Sequence, residues 1–292
     1  MLKGRLGLET ARVPQKDRHG VLWLSRGNLT VSNGTLHFIT GGFDDLPSGD
    51  YDIAYQTVNC IVLGPGSTVS HDALRLMHRH GTGIVVSGEG GVRYYASMPG
   101  GPDTSKLARR QASLWAVEDR RIQLARQMYA WRMGEVFPHK SLNALRGLEG
   151  SRSRVRYKHI AQRHGVEWAG RNYDRSRPEG NNAINNAINH ASVAVIASAQ
   201  VAVAIAGTIP QLGFIHEDSG IAFALDIADI YRDDITLECA FAATAEYNRR
   251  GGDLERMVRK RVGTALRKGK VIAAMIDRQK ELLYADDLGG DA

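Results

Sequence analysis

Cysteine is scarce in this sequence, which contains only Cys60 and Cys239 among its 292 residues. Two thiols this far apart exclude a disulfide framework and a paired-cysteine metal site. They are typical of a reducing compartment, so we expect a cytoplasmic protein. The first residues contain no apolar signal core. The longest apolar run, Ala191 to Gly207, is interrupted by polar residues and is shorter than the roughly 20 residues that cross a bilayer. We therefore expect this run to form a buried central helix.

Acidic residues are also outnumbered, since 31 Asp and Glu stand against 38 Lys and Arg, which gives a net charge of +7. Positive charge without a basic amphipathic anchor favours a nucleic acid partner over a membrane. Residues 146–177 contain nine Lys or Arg against three acidic residues, and residues 249–280 contain eleven against three. Such runs usually form a solvated helix face, but a face of that kind normally includes more acidic partners. On charge alone, the alternative is a protein that is basic without an anionic partner.

The length of the chain and a change of pattern near residue 100 predict two domains. The segment Met98 to Asp103 is rich in glycine and proline and marks the boundary. The fold class we expect is α+β, with an N-terminal β-sandwich-like domain over residues 1–100 and an all-helical domain over residues 101–285. Residues 286–292 are acidic and glycine-rich, which predicts a disordered tail.

Short β-prone runs and turn residues define the expected elements of the first domain. Asn33-Gly34 predicts a hairpin turn, and Ser70 is placed to cap a helix. In the second domain apolar residues recur at helical spacing. The expected strands include Val21–Leu24, Leu29–Val31, Thr35–Ile39, Ile53–Tyr55, Cys60–Leu63, Ile84–Val86 and Val92–Ser97, and the expected helices cover residues 107–128, 141–165, 183–206, 222–231, 236–248 and 252–282.

Two aspartates three residues apart, Asp226 and Asp229, lie in an apolar helical segment shortly after His216. Residues at i and i+3 share a helix face, and the apolar neighbours predict that this face is buried. Adjacent buried carboxylates repel each other and lose hydration, so they require a compensating cation. Oxygen and imidazole ligands suit a hard divalent ion such as Mg²⁺ or Mn²⁺, although a lone histidine is also often a hydrogen-bonded structural residue.

Glu149 is the candidate for a further carboxylate ligand, because it is an isolated acid on a helix otherwise rich in arginine. One interpretation is a metal ligand beside a phosphate-binding surface. The other is an intrahelical ion pair, worth only about 0.3–0.5 kcal/mol when exposed. The pattern leaves open which aspartates coordinate, since Asp233 is four residues from Asp229 and lies on nearly the same face, whereas Asp234 points away.

The basic stretches supply candidate contacts to a DNA backbone, because guanidinium and ammonium groups bind phosphates. An aromatic and basic loop around Trp168 predicts either stacking on unpaired bases or a local hydrophobic anchor. Asparagines over residues 181–189 form a stripe that requires polar partners if it is buried. The candidates for DNA contact from these features are Arg146, Arg152, Arg154, Arg156, Trp168, Tyr173, Arg256, Arg259 and Lys260.

Four stretches spread over most of the chain carry a resemblance to a known family: Pro65–His71, Gly88–Ser97, Leu145–Arg152, and Gly213–His216 followed by residues 226–230. The last two, at this separation, are highly specific. On these motifs the chain resembles the CRISPR-associated Cas1 integrases and endonucleases of the type I-E branch. Two positions depart from the branch, since Arg26 stands where relatives carry a tyrosine and Thr68 where they carry an arginine.

The resemblance implies a β-domain that mediates dimerisation and a helical catalytic domain. The metal ligands of the family fall on Glu149, His216 and Asp229, and Asp226 is a further acidic residue of the catalytic group. Arg93 matches a position implicated in DNA contact, and Asn185 matches an amide near the active site. Members of the family form homodimers that assemble on a Cas2 dimer as a heterohexamer.

The function we expect is metal-dependent phosphoryl transfer in CRISPR adaptation. The 3′-hydroxyl of spacer DNA would attack a phosphodiester of the CRISPR repeat, with Mg²⁺ or Mn²⁺ as cofactor. Two alternatives stay open. One is a stand-alone metal nuclease that only degrades DNA, and the other is a non-catalytic DNA-binding scaffold in which the aspartate pair is structural.

Overall fold

The computed structural model describes residues 19–97, 105–138, 141–171 and 182–284. In these ranges the chain forms two compact units, of which the first contains residues 19–88, 95–97 and 105 and the second the remainder, including residues 89–94. Strands dominate the first unit and helices the second, which confirms the α+β class. The expected boundary segment 98–103 and the expected tail 286–292 lie outside the described residues.

In the part of the first unit that the structure describes, there are two four-stranded sheets and one α-helix. One sheet has the order β1-β5-β7-β8, with β1, β5 and β7 parallel, and the other has the order β4-β3-β2-β6, with β2 antiparallel to β3 and β3 to β4. The elements are β1 (His19–Leu24), β2 (Gly27–Ser32), β3 (Thr35–Thr40), β4 (Gly49–Ile53), β5 (Val58–Leu63), β6 (Thr68–Val69), α1 (His71–His80), β7 (Gly83–Ser87) and β8 (Tyr94–Ser97).

Local chemistry explains why these elements begin and end where they do. Asn33 and Gly34 have φ angles of 51° and 74°, as a two-residue hairpin turn between β2 and β3 requires. The Ser70 hydroxyl accepts the backbone N–H of Ala73 and caps α1, as the sequence predicts. The predicted strand over Ile53–Tyr55 is wrong in its second half, because β4 ends at Ile53 and a 3₁₀ turn begins at Tyr55.

Within the described residues the second unit is mainly helical. A π-helical turn, Arg232–Leu237, follows the helix that carries the paired aspartates. Such turns are frequent at functional sites because they shift the side chains around the helix axis. The helices are α2 (Lys106–Trp115), α3 (Glu118–Met133), α4 (Leu142–His164), α5 (Ala183–Ala206), α6 (Ala222–Ile230), α7 (Glu238–Arg250), α8 (Leu254–Lys268) and α9 (Val271–Tyr284).

Two predicted helices are wrong because each is broken by a residue with non-helical backbone. The predicted helix over 107–128 is α2 and α3, separated at Val117, whose ψ of 113° is extended. The predicted helix over 252–282 is α8 and α9, separated where Lys270 adopts a φ of 47°. Apolar periodicity continues across such breaks, so it does not reveal them.

The predicted central helix over 183–206 is confirmed with the same bounds as α5. Within the described residues it is the one helix long and apolar enough to cross a membrane. Of its most apolar 18-residue stretch, 61% is buried inside the protein. It is longer than the apolar run in the sequence because its first turns contain the asparagine stripe. α5 packs against α6, α7, α8 and α9, as the core helix of a globular domain does.

Candidate metal centre and nucleic-acid surface

The turn that carries His216 is built around the carboxylate of Asp226. This side chain is 0% exposed. Its oxygens accept the backbone N–H groups of Phe214 at 2.5 Å, Ile215 at 3.0 Å and His216 at 2.9 Å. These N–H bonds offset part of the cost of burial, which nevertheless raises the pKa of Asp226. Asp226 therefore has its lone pairs occupied by the turn itself.

The same carboxylate fixes the imidazole of His216. Its Oδ1 lies 2.7 Å from Nδ1 of His216. Because a carboxylate only accepts, Nδ1 carries the proton and donates, which leaves Nε2 free to accept or to bind a cation. The hydrogen bond to Asp226 raises the pKa of His216, and burial opposes that shift. Asp226 is thus a positioning residue for His216.

The three residues that the sequence proposes as metal ligands lie close together in the structure. Nε2 of His216 is 4.0 Å from Oδ2 of Asp229 on α6. Oε1 of Glu149, on α4, and Oδ2 of Asp229 lie 3.0 Å and 4.0 Å from the same nitrogen, Nη1 of Arg132. Burial, followed by the charges of Glu149 and Asp229, raises the pKa of the nearby Tyr129. Segments distant in sequence therefore converge on one cluster of charged side chains.

Whether these residues fit a metal depends on the donors and on the group that now lies between them. Two carboxylates and an imidazole nitrogen form a donor set that suits a hard divalent ion. In the described ranges no group of three or more His, Cys, Asp or Glu side chains is close enough, as placed, to hold one ion. The guanidinium of Arg132 already bridges the carboxylates of Glu149 and Asp229. The donor types fit a divalent cation, which would have to displace Arg132 from the oxygens of Glu149 and Asp229.

Sequence reasoning missed Arg132 and Arg232. Arg132 comes from the last turn of α3, and its side chain is only 3% exposed. Arg232 begins the π-helical turn and donates to Asp229 at 3.2 Å and to the hydroxyl of Tyr157 at 3.1 Å. One local pattern could have pointed to Arg132. It is a charged residue in a helical segment whose neighbours, such as Tyr129 and Trp131, are aromatic or apolar.

Two further arginines hold the turn of His216 against the neighbouring helices. Arg146 donates to the backbone oxygen of Ile215 and lies 3.6 Å from Glu217. Arg121 forms an ion pair with Glu217 at 2.8 Å. The side chain of Arg146, a predicted DNA contact, therefore contacts the turn of His216 and remains partly exposed.

A cavity of about 210 Å³ adjoins Glu149. Its lining residues include Arg154, Arg171 and Arg232. Arg154 is exposed and forms no ion pair with any described residue. Trp168 closes one side, with its ring stacked on Tyr157 at a centroid distance of 4.8 Å. This arrangement places positive charge next to the carboxylates, as an anion-binding site requires.

The aromatic residue Trp168 is a hydrophobic anchor in this conformation. One face of its ring is covered by Tyr157, and its edge meets Phe241 at 5.7 Å. Tyr173, the other predicted stacking residue, lies outside the described residues. Asn185 is 1% exposed, and its side chain is bonded to Asn182, Gly170 and Arg171, so it has no surface for a DNA contact.

Within the described residues, four of the other six predicted DNA-contacting arginines have acidic partners, three of them on other elements. Arg93 and Arg259 both contact Glu255, at 2.9 and 3.3 Å. Arg152 contacts Glu135 at 2.9 Å, and Arg156 lies 3.9 Å from Asp233. Counting acids within each basic stretch therefore underestimates the pairing, because the partners come from elsewhere. The exposed Arg256 and Lys260 line a separate cavity of about 900 Å³ between α7 and α8.

Comparison with known proteins identifies the family. A family model described as CRISPR associated protein Cas1 matches residues 132–268. Over 280 residues the chain is 37% identical to the CRISPR-associated endonuclease Cas1 of Escherichia coli strain K12, covering 94% of this chain and 88% of that protein. The chain belongs to the Cas1 family. A Cas1 endonuclease of Geobacter sulfurreducens is also 37% identical, over 277 residues that cover 94% of this chain and 87% of the relative.

A solved structure of a Cas1 protein supports the same assignment. The crystal structure of a TtCas1–DNA complex superposes with a TM-score of 0.81 at 27% identity, covering 94% of this chain and 99% of that one. The residues matched by the Cas1 family model include Glu149, His216 and Asp229, and they begin at Arg132. The charged cluster thus lies within the part of the chain that is most recognisably Cas1.

Replacing Asp226 by asparagine tests its role as a positioning residue. The amide of Asp226→Asn has only one oxygen, so at least one buried N–H of the turn loses its acceptor. This costs about 1–3 kcal/mol of unfolding free energy. A less constrained His216 should also weaken Mn²⁺ binding by about 10- to 100-fold. Denaturant unfolding and Mn²⁺ titration measure the two effects.

The control is Asp218→Asn, on the exposed part of the same loop. Equal losses of stability and of Mn²⁺ affinity in both variants would contradict the assignment.

Proposed function

We propose that this Cas1 protein is a metal-dependent DNA integrase and endonuclease of CRISPR adaptation, of the type I-E branch. Its reaction joins the 3′-hydroxyl of spacer DNA to a phosphodiester of the CRISPR repeat. The observation that carries the proposal is the convergence of Glu149, Asp229 and His216 next to a cavity that Glu149 lines together with three arginines. Carboxylates bind the cation and arginines bind the phosphate, which is the division of labour that phosphodiester chemistry requires.

Each residue of the cluster has a separate task in this proposal. Glu149, Asp229 and Nε2 of His216 would hold Mg²⁺ or Mn²⁺, which supplies Lewis acidity at the phosphate when bound. Asp226 keeps the imidazole in the tautomer that presents Nε2. Arg154 and Arg232 face the cavity and would bind the non-bridging phosphate oxygens. A fixed set of donors around the phosphate stabilises the charge of the transition state.

The transfer itself exchanges one ester bond for another. The 3′-oxygen of the incoming strand forms a bond to phosphorus, and the bond from phosphorus to the 3′-oxygen of the repeat breaks. The attacking hydroxyl loses its proton to solvent, and the leaving oxygen takes up a proton. When water replaces the hydroxyl, the same site hydrolyses DNA. The residues of the site therefore serve both joining and cutting.

DNA and protein partners follow from the same proposal. The Cas1 protein with TM-score 0.81 was crystallised as a complex with DNA, which supports DNA as the substrate. Exposed basic residues such as Arg154, Arg256 and Lys260 are available for backbone contacts. We also propose a homodimer formed through the β-domain, assembly on a Cas2 dimer as a heterohexamer, and action in the cytoplasm.

One joining assay distinguishes the proposal from its alternatives. Labelled DNA with a free 3′-hydroxyl is incubated with a repeat-containing plasmid, the full-length protein and the Cas2 partner, with Mg²⁺, Mn²⁺ or EDTA. We expect labelled plasmid only with the metal and the partner. Degradation without joining, independent of the partner, would identify a stand-alone nuclease. DNA binding with neither reaction would identify a scaffold.

Binding to duplex DNA should weaken steeply as salt rises, because phosphate contacts release counterions. If six phosphates are contacted, the affinity falls about 1,000-fold between roughly 50 and 200 mM salt. Fluorescence anisotropy with a labelled duplex, in EDTA to prevent cleavage, measures the slope. A flat titration would contradict binding through the basic residues.

A further inference from the structure

Arg132 lies between Glu149 and Asp229, two of the proposed metal ligands. Its guanidinium is buried and donates to Glu149 at 3.0 Å through Nη1, with Asp229 at 4.0 Å from the same nitrogen. Its other terminal nitrogen, Nη2, bonds the hydroxyl of Ser153 at 3.1 Å and lies 3.7 Å from Oδ1 of Asp233. One positive group therefore interacts with three carboxylates from three elements, α4, α6 and the π-helical turn.

The charges around Arg132 are balanced without any further cation. Arg232 neutralises Asp229 from the other side, and Arg156 lies near Asp233. Three guanidinium groups thus face three carboxylates in a largely buried cluster. A divalent ion added to this arrangement would be repelled by Arg132 and would compete with it for the same oxygen lone pairs. Tight metal binding requires Arg132 to release Glu149 and Asp229.

Asp233 provides a second partner for the displaced guanidinium. It is buried, at 6% exposed, and its Oδ1 has no hydrogen-bond partner among the described residues. Nε of Arg132 also has none in that part of the chain. The distance of 3.7 Å between Nη2 and this oxygen is about half an ångström too long for a good charged hydrogen bond. A buried donor and a buried acceptor that both lack partners indicate that the guanidinium has an alternative position beside Asp233.

We propose that Arg132 is an exchangeable counter-ion of the metal site. It holds Glu149 and Asp229 together when no metal is bound, and it moves to Asp233 when a divalent cation takes their oxygens. The proposal rests on the proposed metal centre and adds to it a residue that sets the affinity for the cation. Metal binding to this protein is then an exchange of one cation for another within a preformed carboxylate cluster.

The variant Arg132→Gln should separate the two roles of this residue. Glutamine still offers a hydrogen bond but removes the competing charge, so Mn²⁺ should bind about 10- to 100-fold more tightly, the equivalent of one charge-assisted hydrogen bond. Without metal, the variant should unfold at a lower temperature than the wild type, because the carboxylates lose their counter-ion. Mn²⁺ should then raise the melting temperature of the variant by more than that of the wild type.

The affinities are measured by calorimetric titration of the full-length proteins with MnCl₂. Arg156→Gln is the control, because it removes one charge from the same cluster but contacts neither Glu149 nor Asp229 in the described ranges. We expect the Kd of Arg156→Gln to stay within about threefold of the wild type, since a screened charge acts weakly. Equal changes in the two variants, or no change in Arg132→Gln, would overturn the exchange.

A double-mutant cycle provides the second measurement. Asp233→Asn removes the alternative partner and should weaken Mn²⁺ binding in the wild type, but it should have little effect once Arg132 is glutamine. An equal effect in both backgrounds would show that Asp233 acts only as a nearby charge and would overturn the proposal. If neither the wild type nor Arg132→Gln binds Mn²⁺, the metal centre itself is refuted. Binding by the wild type with an unchanged Arg132→Gln refutes the exchange alone.

Discussion

His216→Ala should abolish strand joining while leaving DNA binding nearly intact. The substitution removes the Nε2 donor of the proposed metal site and leaves the buried Asp226 without its imidazole partner. Outer-shell changes at metal sites already cost about 10- to 100-fold, so loss of a direct ligand should reduce joining by at least about 100-fold. DNA binding should change little, because the exposed basic residues are on other elements.

The assay for this variant compares the rate of joining with the affinity for duplex DNA, measured in EDTA. His159→Ala is the matched control, since His159 is an exposed histidine of α4 in the same unit. It should join DNA at the wild-type rate. Joining by His216→Ala at more than about a tenth of the wild-type rate would remove His216 from the metal site, whereas a parallel loss of DNA binding would indicate unfolding of the turn.

Gly213→Ala should reduce activity nearly as much, although no functional atom is changed. A Cβ at this position would collide with the backbone oxygen of His216 and would lie 2.8 Å from Cβ of Ala222. The carbonyl oxygen of Gly213 also accepts the indole N–H of Trp115 at 2.9 Å, so the turn has little freedom to move away. Overpacking of this kind costs about 1–3 kcal/mol, and a displacement of about 1 Å at a catalytic group can cost about 100-fold in rate.

Gly220→Ala is the matched control for that variant. It lies in the same loop, but a Cβ there would meet no atom within 4 Å. Thermal unfolding and joining should be close to wild type for Gly220→Ala and should both be reduced for Gly213→Ala. Wild-type joining by Gly213→Ala would show that the turn can shift without moving His216.

Several elements could be predicted because their causes are local. The hairpin at Asn33-Gly34 depends on residues that adopt positive φ, and the start of α1 depends on one capping hydroxyl. α5 begins after the cap of Asn182, continues through the asparagine stripe into the apolar run, and ends before Gly207, which adopts a positive φ. Breaks at Val117 and Lys270 were missed because ordinary residues adopt non-helical backbone there, which no local pattern marks.

The candidate site shows the same division between local and distant causes. His216, Asp226 and Asp229 were identified because three functional residues lie within one short apolar segment. The separate roles of the two aspartates were not predictable from their spacing. Asp226 accepts three N–H groups of its own turn, whereas Asp229 faces the arginines of α3 and the π-helical turn.

By itself the sequence determined the order of strands and helices over most of the chain, the motifs of the Cas1 family, and which acidic residues and histidine to consider. These features follow from hydrophobic periodicity, helix capping and residue type, which depend on a few neighbouring residues. Only the tertiary structure decided that Arg132 lies between Glu149 and Asp229, and that the basic stretches find acidic partners on other elements. Charge pairing depends on distances through space, and the packing of helices far apart in the sequence fixes those distances.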